Sequence, residues 1–160
     1  MSSTDQPTNT ELPVGGQLIY RYAPQVTKVI EYGTSADATF SGQSPLPSSG
    51  VRLDLHLEGP VTGPRLNGTV KGIDYLYVRA DGRTELHIHA AITTESGEKV
   101  ALAADGVAIR QGASMVFDLR ENVTLMSSHP DFSWLNGIQV WATGTFDSSS
   151  GQVQLSAYTL

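Results

Sequence analysis

Apolar and polar residues alternate along most of this chain, and glycine or proline interrupts the alternation every few residues. Residues 51–58 alternate without exception between an apolar side chain and a charged or imidazole one, and residues 83–90 follow nearly the same pattern. Strict alternation over about 4–8 residues is typical of a β-strand with one buried face. The pattern therefore predicts a chain built from strands, each of which buries one row of side chains.

Short turn sequences separate these alternating segments. Asp-Gly at residues 81–82 and Ser-Gly at residues 96–97 are typical of β-hairpins. Apolar residues at helical spacing are missing, and one helical turn is expected only within residues 128–136. About ten short strands predict an all-β fold, and we expect a single antiparallel barrel because closure removes exposed sheet edges. The predicted strands are 17–22, 26–32, 36–41, 51–58, 65–71, 73–79, 83–92, 98–110, 113–120, 137–146 and 151–159.

The length of 160 residues predicts one domain. Residues 1–15 are polar and rich in Ser, Thr and Pro, so we expect a flexible tail followed by a barrel domain over residues 16–160. This start lacks the basic and apolar regions of a secretory signal, and no segment reaches the ~18 apolar residues of a membrane span. The expectation is a cytoplasmic protein that has no membrane partner.

The composition excludes several kinds of chemistry. The chain has no cysteine, which rules out disulfides, thiolate metal sites and a cysteine nucleophile. Its 16 acidic and 10 basic residues give a net charge of −6, which argues against nucleic acid as a partner. Phosphate-binding loops, dinucleotide fingerprints and nucleophile elbows are not recognisable, so no cofactor is expected.

Two histidines two residues apart form the sharpest local feature. On a strand His87 and His89 share a face about 7 Å apart, and together they are able to bind a metal ion. Further ligands would have to come from His56, His129 or Glu95. Glu95 lies six positions after His89, which departs from the spacing of cupin metal sites. No metal is therefore assigned, although a metal enzyme stays an alternative.

The same strand also favours acid–base chemistry. Glu85 shares the face of the two histidines, and Asp54 and His56 repeat the pairing of a carboxylate with an imidazole on another strand. Imidazole titrates near neutral pH, and a nearby carboxylate orients it or favours its charged form. If both polar rows face the barrel interior, they form a compact proton-transfer site. If both face water, the apolar rows fill the core.

Part of the chain resembles a known family. The resemblance rests on residues 50–52 and 58–68, on the Gly-x-Asp-aromatic step at residues 72–75, on the Asp-Gly turn and on the segment 132–136. In order and spacing over residues 17–160 these features resemble the bacterial and fungal family called domain of unknown function 3237. The resemblance implies an antiparallel β-barrel with no agreed activity. Lipocalins and allene oxide cyclases, which are related small barrels, bind hydrophobic molecules, and some of these barrels catalyse cyclisation or isomerisation.

One departure from the family pattern bears on function. Where the family usually has an Asp-x-Arg pair, this chain has His87-Ile88-His89. Arg52, Asp74, Trp134 and Asn136 match the family pattern, and Asn136 is expected to cap a turn.

The leading hypothesis is a cofactor-independent enzyme that isomerises, cyclises, eliminates from or hydrolyses a small, largely apolar organic molecule. His87, His89, Asp74 and Asp54 are the expected catalytic residues. A non-catalytic carrier or sensor is the alternative, and a histidine-ligated metal enzyme is the second. The expected substrate-binding residues are Arg52, His56, Tyr75, Tyr77, Glu85, Trp134 and Trp141.

Self-association follows if the polar rows face inward. Val51, Leu53, Leu55 and Leu57 would then form an apolar strip on the outside of the barrel. Such a strip on a soluble chain usually marks an interface, so a homodimer or higher homo-oligomer is expected.

Overall fold

Nine antiparallel strands follow one another around the sheet in the computed structural model, which describes residues 16–160. The predicted tail, residues 1–15, lies outside the described residues. The all-β prediction is confirmed, and within residues 16–160 no helix is long and apolar enough to cross a membrane. The elements are β1 (Gln17–Tyr22), β2 (Gln25–Glu31), α1 (Ala36–Ser41), β3 (Val51–Thr62), β4 (Gly68–Val78), β5 (Thr84–Thr94), β6 (Lys99–Arg110), β7 (Val116–Met126), the 3-10 helix Ser133–Gly137, β8 (Val140–Asp147) and β9 (Gln152–Thr159).

The sheet closes into a barrel because β3 pairs with β4 and both ends of the strand order meet. β1 and β2 share one position between β3 and β9: β1 pairs mainly with β9, and β2 pairs mainly with β3. Pro24 lies at the break between them and lacks the N–H that a continuous ladder would use. The barrel thus has eight strand positions, and the described strands form a closed sheet.

The apolar rows of β3 and β5 face the barrel interior. Leu53 and Leu55 of β3 and Leu86 and Ile88 of β5 are buried, whereas His87 is exposed, as is His89 on the same row. The interpretation that the histidine row faces inward is therefore wrong. Each buried aliphatic side chain contributes roughly 1.5–3 kcal/mol, while a buried imidazole or carboxylate without a partner is penalised.

This orientation also removes the reason given for self-association. The strip formed by residues 51, 53, 55 and 57 lies inside the barrel and needs no second chain to cover it. A homo-oligomer stays a prediction without that argument, and light scattering at micromolar concentration tests it.

A short helix, rather than the predicted strand at residues 36–41, lies across one end of the barrel. The Ser35 side chain accepts a hydrogen bond from the Ala38 N–H, and Gly42 ends α1 at φ 67°, a conformation that suits glycine. Phe40 is buried against the rings of Phe117 and Phe146, at centroid distances of 5.8 and 5.5 Å. The two caps and the aromatic contacts outweigh the local alternation that suggested a strand.

The 3-10 helix Ser133–Gly137 packs at the region where one helical turn was expected. Leu135 is fully buried, and the Asn136 side chain accepts a hydrogen bond from the Ser127 N–H at 2.9 Å and donates one to the Ser127 carbonyl at 2.8 Å. Asn136 thus closes the loop 127–136 onto the end of β7, rather than capping the 3-10 helix in which it lies.

Asn136→Ala is expected to lower the free energy of unfolding by about 1–3 kcal/mol, because it leaves two backbone groups of Ser127 without their partners. Urea titration measures the loss. Gln43→Ala, at an exposed position just after α1, serves as the control and should change stability by less than about 0.5 kcal/mol. Equal losses in the two variants would contradict this loop-closing role.

Candidate functional site

Two carboxyl groups lie in the otherwise apolar interior. Asp74 occupies the inward row of β4, and Glu121 occupies the inward row of β7; each is only 4 % exposed. They line the same cavity, and the described residues that line it include no lysine or arginine. The rest of the cavity wall is formed mainly by Tyr22, Pro24, Phe40, Leu55, Leu57, Leu76, Thr84, Leu86, Ile88, Ala108, Phe117, Leu119, Phe146, Val153 and Leu155.

Glu121 sits beside two tyrosines from β1. The Tyr22 hydroxyl donates a hydrogen bond to Oε1 of Glu121 at 3.2 Å, and the rings of Tyr20 and Tyr22 lie 5.4 Å apart. Tyr20 is fully buried, yet its hydroxyl has no hydrogen-bond partner among residues 16–160. A buried hydroxyl without a partner costs about 1–3 kcal/mol. Tyr20 itself is not among the residues that line the interior cavity.

Asp74 takes its hydrogen bond from the neighbouring strand. Its Oδ1 accepts from the backbone N–H of His87 at 3.0 Å. Strand pairing between β4 and β5 is interrupted at this point, between the pairs Asp74–Ile88 and Tyr77–Glu85. His87 therefore reaches the interior site through its backbone N–H, while its imidazole lies outside.

Burial raises the pKa of both carboxyls into the neutral range. Loss of hydration raises the pKa of Asp74 to about 7, against the opposing effect of the His87 N–H. Loss of hydration and then the negative charge of Asp74 raise the pKa of Glu121 to about 8, against the Tyr22 hydrogen bond. Groups with pKa values near the working pH are those best suited to donate and accept protons.

The cavity is small. Its volume, counted as the space open to the centre of a water molecule, is about 30 Å³, which is room for about two waters. Phe40 of α1 forms part of its wall together with Phe117 and Phe146. Phe40 thus covers the cavity from the α1 end of the barrel, and we call this side chain the plug.

Most of the site residues expected from the sequence lie on the outside of the barrel. They share the outer face of three neighbouring strands, β3, β4 and β5, where cross-strand pairing aligns Asp54 with Tyr75 and Tyr77 with Arg52 and Glu85. The structure brings these residues together, but away from the interior cavity. The residues on this outer face are Arg52, Asp54, His56, Tyr75, Tyr77, Glu85, His87 and His89.

Asp54 is the centre of a network on this outer face. Arg52 Nε lies 2.8 Å from its Oδ1, and the Tyr32 hydroxyl donates to its Oδ2 at 2.6 Å. The hydrogen bond from Arg52 lowers the pKa of Asp54. The Arg52 guanidinium also lies 5.2 Å from the Tyr32 ring and 5.3 Å from the Tyr75 ring. Tyr32 directly precedes the segment that leads into α1. These contacts therefore hold the start of that segment against the barrel wall, just before the helix that carries Phe40.

The other outer residues make separate contacts. Glu85 pairs with Arg83 at 3.2 Å, and the Tyr77 hydroxyl donates to the Ser49 carbonyl at 2.7 Å. The His89 ring lies 6.2 Å from that of Tyr75.

The two tryptophans lie away from the cavity. The Arg65 guanidinium lies 3.9 Å from the centre of the Trp134 ring, and Trp141 is exposed on β8. Neither of them lines the interior cavity.

Among residues 16–160, the side chains grouped closely enough to hold a metal ion are Glu98, His129 and Asp131, whose ligand atoms lie within 4.8 Å of one another. His129 was a candidate partner for His87 and His89, but it is grouped instead with two carboxylates on the surface. Its Nδ1 accepts a hydrogen bond from the Asp131 N–H at 3.1 Å.

The fold and its interior define a small closed antiparallel β-barrel with two carboxyls in an apolar cavity. Residues 37–160 match the family described as Protein of unknown function (DUF3237). The chain belongs to this family, as the resemblance in its sequence indicated. No curated protein matches the chain in sequence.

Solved structures share the fold. A β-barrel-like protein from Acinetobacter baumannii has a TM-score of 0.74 at 17% identity, with 98% of this chain and 99% of that chain covered. A protein with unknown function from Clostridium acetobutylicum has a TM-score of 0.72 at 21% identity, covering 91% and 97%. An enzyme from Penicillium herquei has a TM-score of 0.61 at 19% identity, covering 92% and 98%. At these identities the likeness extends to the fold alone.

Proposed function

We propose that this barrel is a cofactor-independent enzyme that uses Asp74 and Glu121 for acid–base chemistry on a small, largely apolar organic molecule. The reaction class is isomerisation, cyclisation, elimination or hydrolysis. The observation that carries the proposal is the placing of two carboxyls, without a neutralising cation among the described residues, in one apolar cavity. Burying such groups lowers the stability of the fold. Burial also raises their pKa values into the range that suits proton transfer at neutral pH.

The two carboxyls divide the work according to their surroundings. Asp74 has the lower pKa and a hydrogen bond from the His87 N–H, so its ionised form is the base that takes a proton from the substrate. Glu121 has the higher pKa and stays protonated, so it is the acid that gives a proton to another substrate atom. Tyr22 orients Glu121 through its hydroxyl. Proton exchange between Glu121 and Asp74, directly or through water, restores the starting state.

The apolar walls support the same proposal. Water competes for protons and weakens electrostatic interactions, and a small cavity lined mainly by aliphatic and aromatic side chains limits it to a few molecules at most. A protein of the same fold is described as an enzyme, which is consistent with chemistry on such a barrel.

Glu121→Gln and Asp74→Asn are each expected to reduce turnover about 100-fold or more, because each removes a proton-transfer group while keeping its size. The assay incubates the protein with a small-molecule extract of the organism that produces it. Mass spectrometry follows the loss of one compound and the appearance of another. Glu121→Gln retains the oxygen that accepts from Tyr22, and Asp74→Asn retains the one that accepts from His87.

His87→Gln and His89→Gln are the matched controls, since both side chains lie on the outer face. They should retain full activity. Loss of activity in these controls, or full activity in Glu121→Gln, would contradict the interior site. Retention of a compound without conversion would instead favour a carrier.

A further inference from the structure

A second, open pocket lies directly outside the Phe40 plug. We call it the vestibule. It shares Phe40, Thr84, Ala108 and Phe117 with the wall of the interior cavity. Its volume is about 620 Å³ by the same measure, within the range of about 300–1,000 Å³ typical of small-molecule sites. A molecule bound there would touch the plug and the aromatic wall behind it.

The charges of the vestibule leave one cation unneutralised. Asp81 pairs with Arg79 at 2.7 Å, and Arg83 pairs with Glu85 at 3.2 Å. Arg110 also lines the vestibule, and within residues 16–160 no carboxylate oxygen lies within 4.0 Å of its guanidinium nitrogens. Within the part of the chain that the structure describes, the vestibule therefore presents a positive charge without an ion-pair partner, on a chain whose net charge is −6.

Arg110 is held in place by neutral contacts. Its guanidinium lies 4.7 Å from the centre of the Phe117 ring, and Nη1 donates to the Ser114 carbonyl at 2.9 Å. Nη2 lies at the end of α1, where a Cβ added to Gly42 would approach it to 3.3 Å. The side chain is thus oriented before any ligand binds, and its planar fork suits a carboxylate or another oxyanion.

We propose that the vestibule binds the acidic end of the substrate, which makes the substrate class an amphipathic organic acid. This inference rests on the proposed function and names its substrate class. Arg110 holds the oxyanion, and the apolar body lies against Phe117, Ile109 and Leu46 and leads past Phe40 to the interior carboxyls.

Charge explains why the acidic end stays outside. An oxyanion that entered the interior would lose its hydration in an apolar cavity and would meet Asp74 and Glu121, which carry or acquire the same sign of charge. The neutral part of the molecule meets neither penalty. The acidic end of an amphipathic acid therefore binds in the vestibule and its apolar part faces the cavity, so the molecule binds in one orientation.

Two fluorescent probes with the same aromatic skeleton test the inference by binding alone. One is 8-anilinonaphthalene-1-sulfonate, an oxyanion, and the other is the neutral N-phenyl-1-naphthylamine. Fluorescence titration of the full chain at low salt is expected to give about 10-fold or more tighter binding of the sulfonate. Arg110→Gln should abolish this preference, and Arg110→Lys, which keeps the charge, should retain part of it.

Lys71→Gln is the matched control, since it removes the same charge from the exposed outer face of β4. It should leave the preference unchanged, and thermal unfolding confirms that each variant is folded. Equal binding of the two probes to the wild type, or an unchanged preference in Arg110→Gln, overturns the inference. An equal loss in Lys71→Gln also overturns it, because net charge would then explain the preference. The result is independent of whether Glu121→Gln retains turnover, so the two proposals fail separately.

Discussion

The wild-type protein is expected to lose stability as the pH rises from about 5 to about 9, and Glu121→Gln, which retains Asp74, is expected to lose about half as much. Asp74 and Glu121 have pKa values of about 7 and about 8 in the folded protein, whereas ordinary values near 4 apply to the unfolded chain. Between about pH 4 and about pH 8 the folded state binds more protons than the unfolded state. The contribution to stability is therefore complete below about pH 4 and is lost as the pH rises through about 7 and 8.

The expected size of the effect is large. A difference of about three pKa units corresponds to at most roughly 4 kcal/mol for each carboxyl. Glu121→Gln removes one of the two ionisations and keeps the hydrogen bond from Tyr22. Its free energy of unfolding should match that of the wild type at pH 5 and exceed it by several kcal/mol at pH 9.

Urea titration at pH 5, 7 and 9 measures this difference. Glu58→Gln, at an exposed position of β3, is the control and should follow the wild-type curve. Asp54, whose pKa is lowered, affects stability only at more acidic pH and does not disturb this window. A wild-type curve that is flat from pH 5 to 9, or one that runs parallel to that of Glu121→Gln, would show that the interior carboxyls are not perturbed.

Phe40→Ala is expected to destabilise the protein by about 3–5 kcal/mol and to open the interior cavity to ligands. The ring is buried between Phe117 and Phe146, so its removal takes away apolar contacts and leaves a space beside the cavity. Binding of the neutral probe N-phenyl-1-naphthylamine should become tighter because the plug no longer fills the entry path.

Phe40→Leu is the companion variant, since it keeps an apolar side chain of intermediate size. Its loss of stability should be clearly smaller, and its binding of the neutral probe should lie closer to that of the wild type. Urea titration and fluorescence titration measure the two effects. If the Ala and Leu variants have the same stability and bind the probe as the wild type does, Phe40 is not the plug of this barrel.

Much of the fold follows from the sequence. Alternation in residues 51–58 and 83–90 predicted β3 and β5, and the Asp-Gly and Ser-Gly turns predicted the hairpins around β5. The family features of the chain agreed with a barrel. The alternation of side chains and the preferences of turn residues depend only on near neighbours in the chain. Strands and turns can therefore be predicted before the fold is known.

Glu121 was missed because the predicted strand ended at residue 120, while β7 continues to Met126. A signal was present in the sequence: Glu121 falls on the apolar row that includes Leu119 and Val123. Asp74 likewise falls on the apolar row of β4, beside Leu76. A carboxylate on the apolar row of an alternating strand indicates a buried acid, and it is a stronger sign of an interior site than histidines on the polar row.

The short helix that carries the plug could also have been predicted from the sequence. Ser35 before residues 36–41 and Gly42 after them are helix caps, and alternation across such a short segment does not outweigh them.

The sequence by itself determined the strands, the turns and the two rows of side chains on each strand. Which row faces inward, and which inward residues share a cavity, were decided only by closure of the barrel. Closure brings Asp74 of β4 and Glu121 of β7 to one cavity across two intervening strands. Their pKa values depend on the water that this closure removes, and burial is a property of the assembled barrel rather than of any local spacing along the chain.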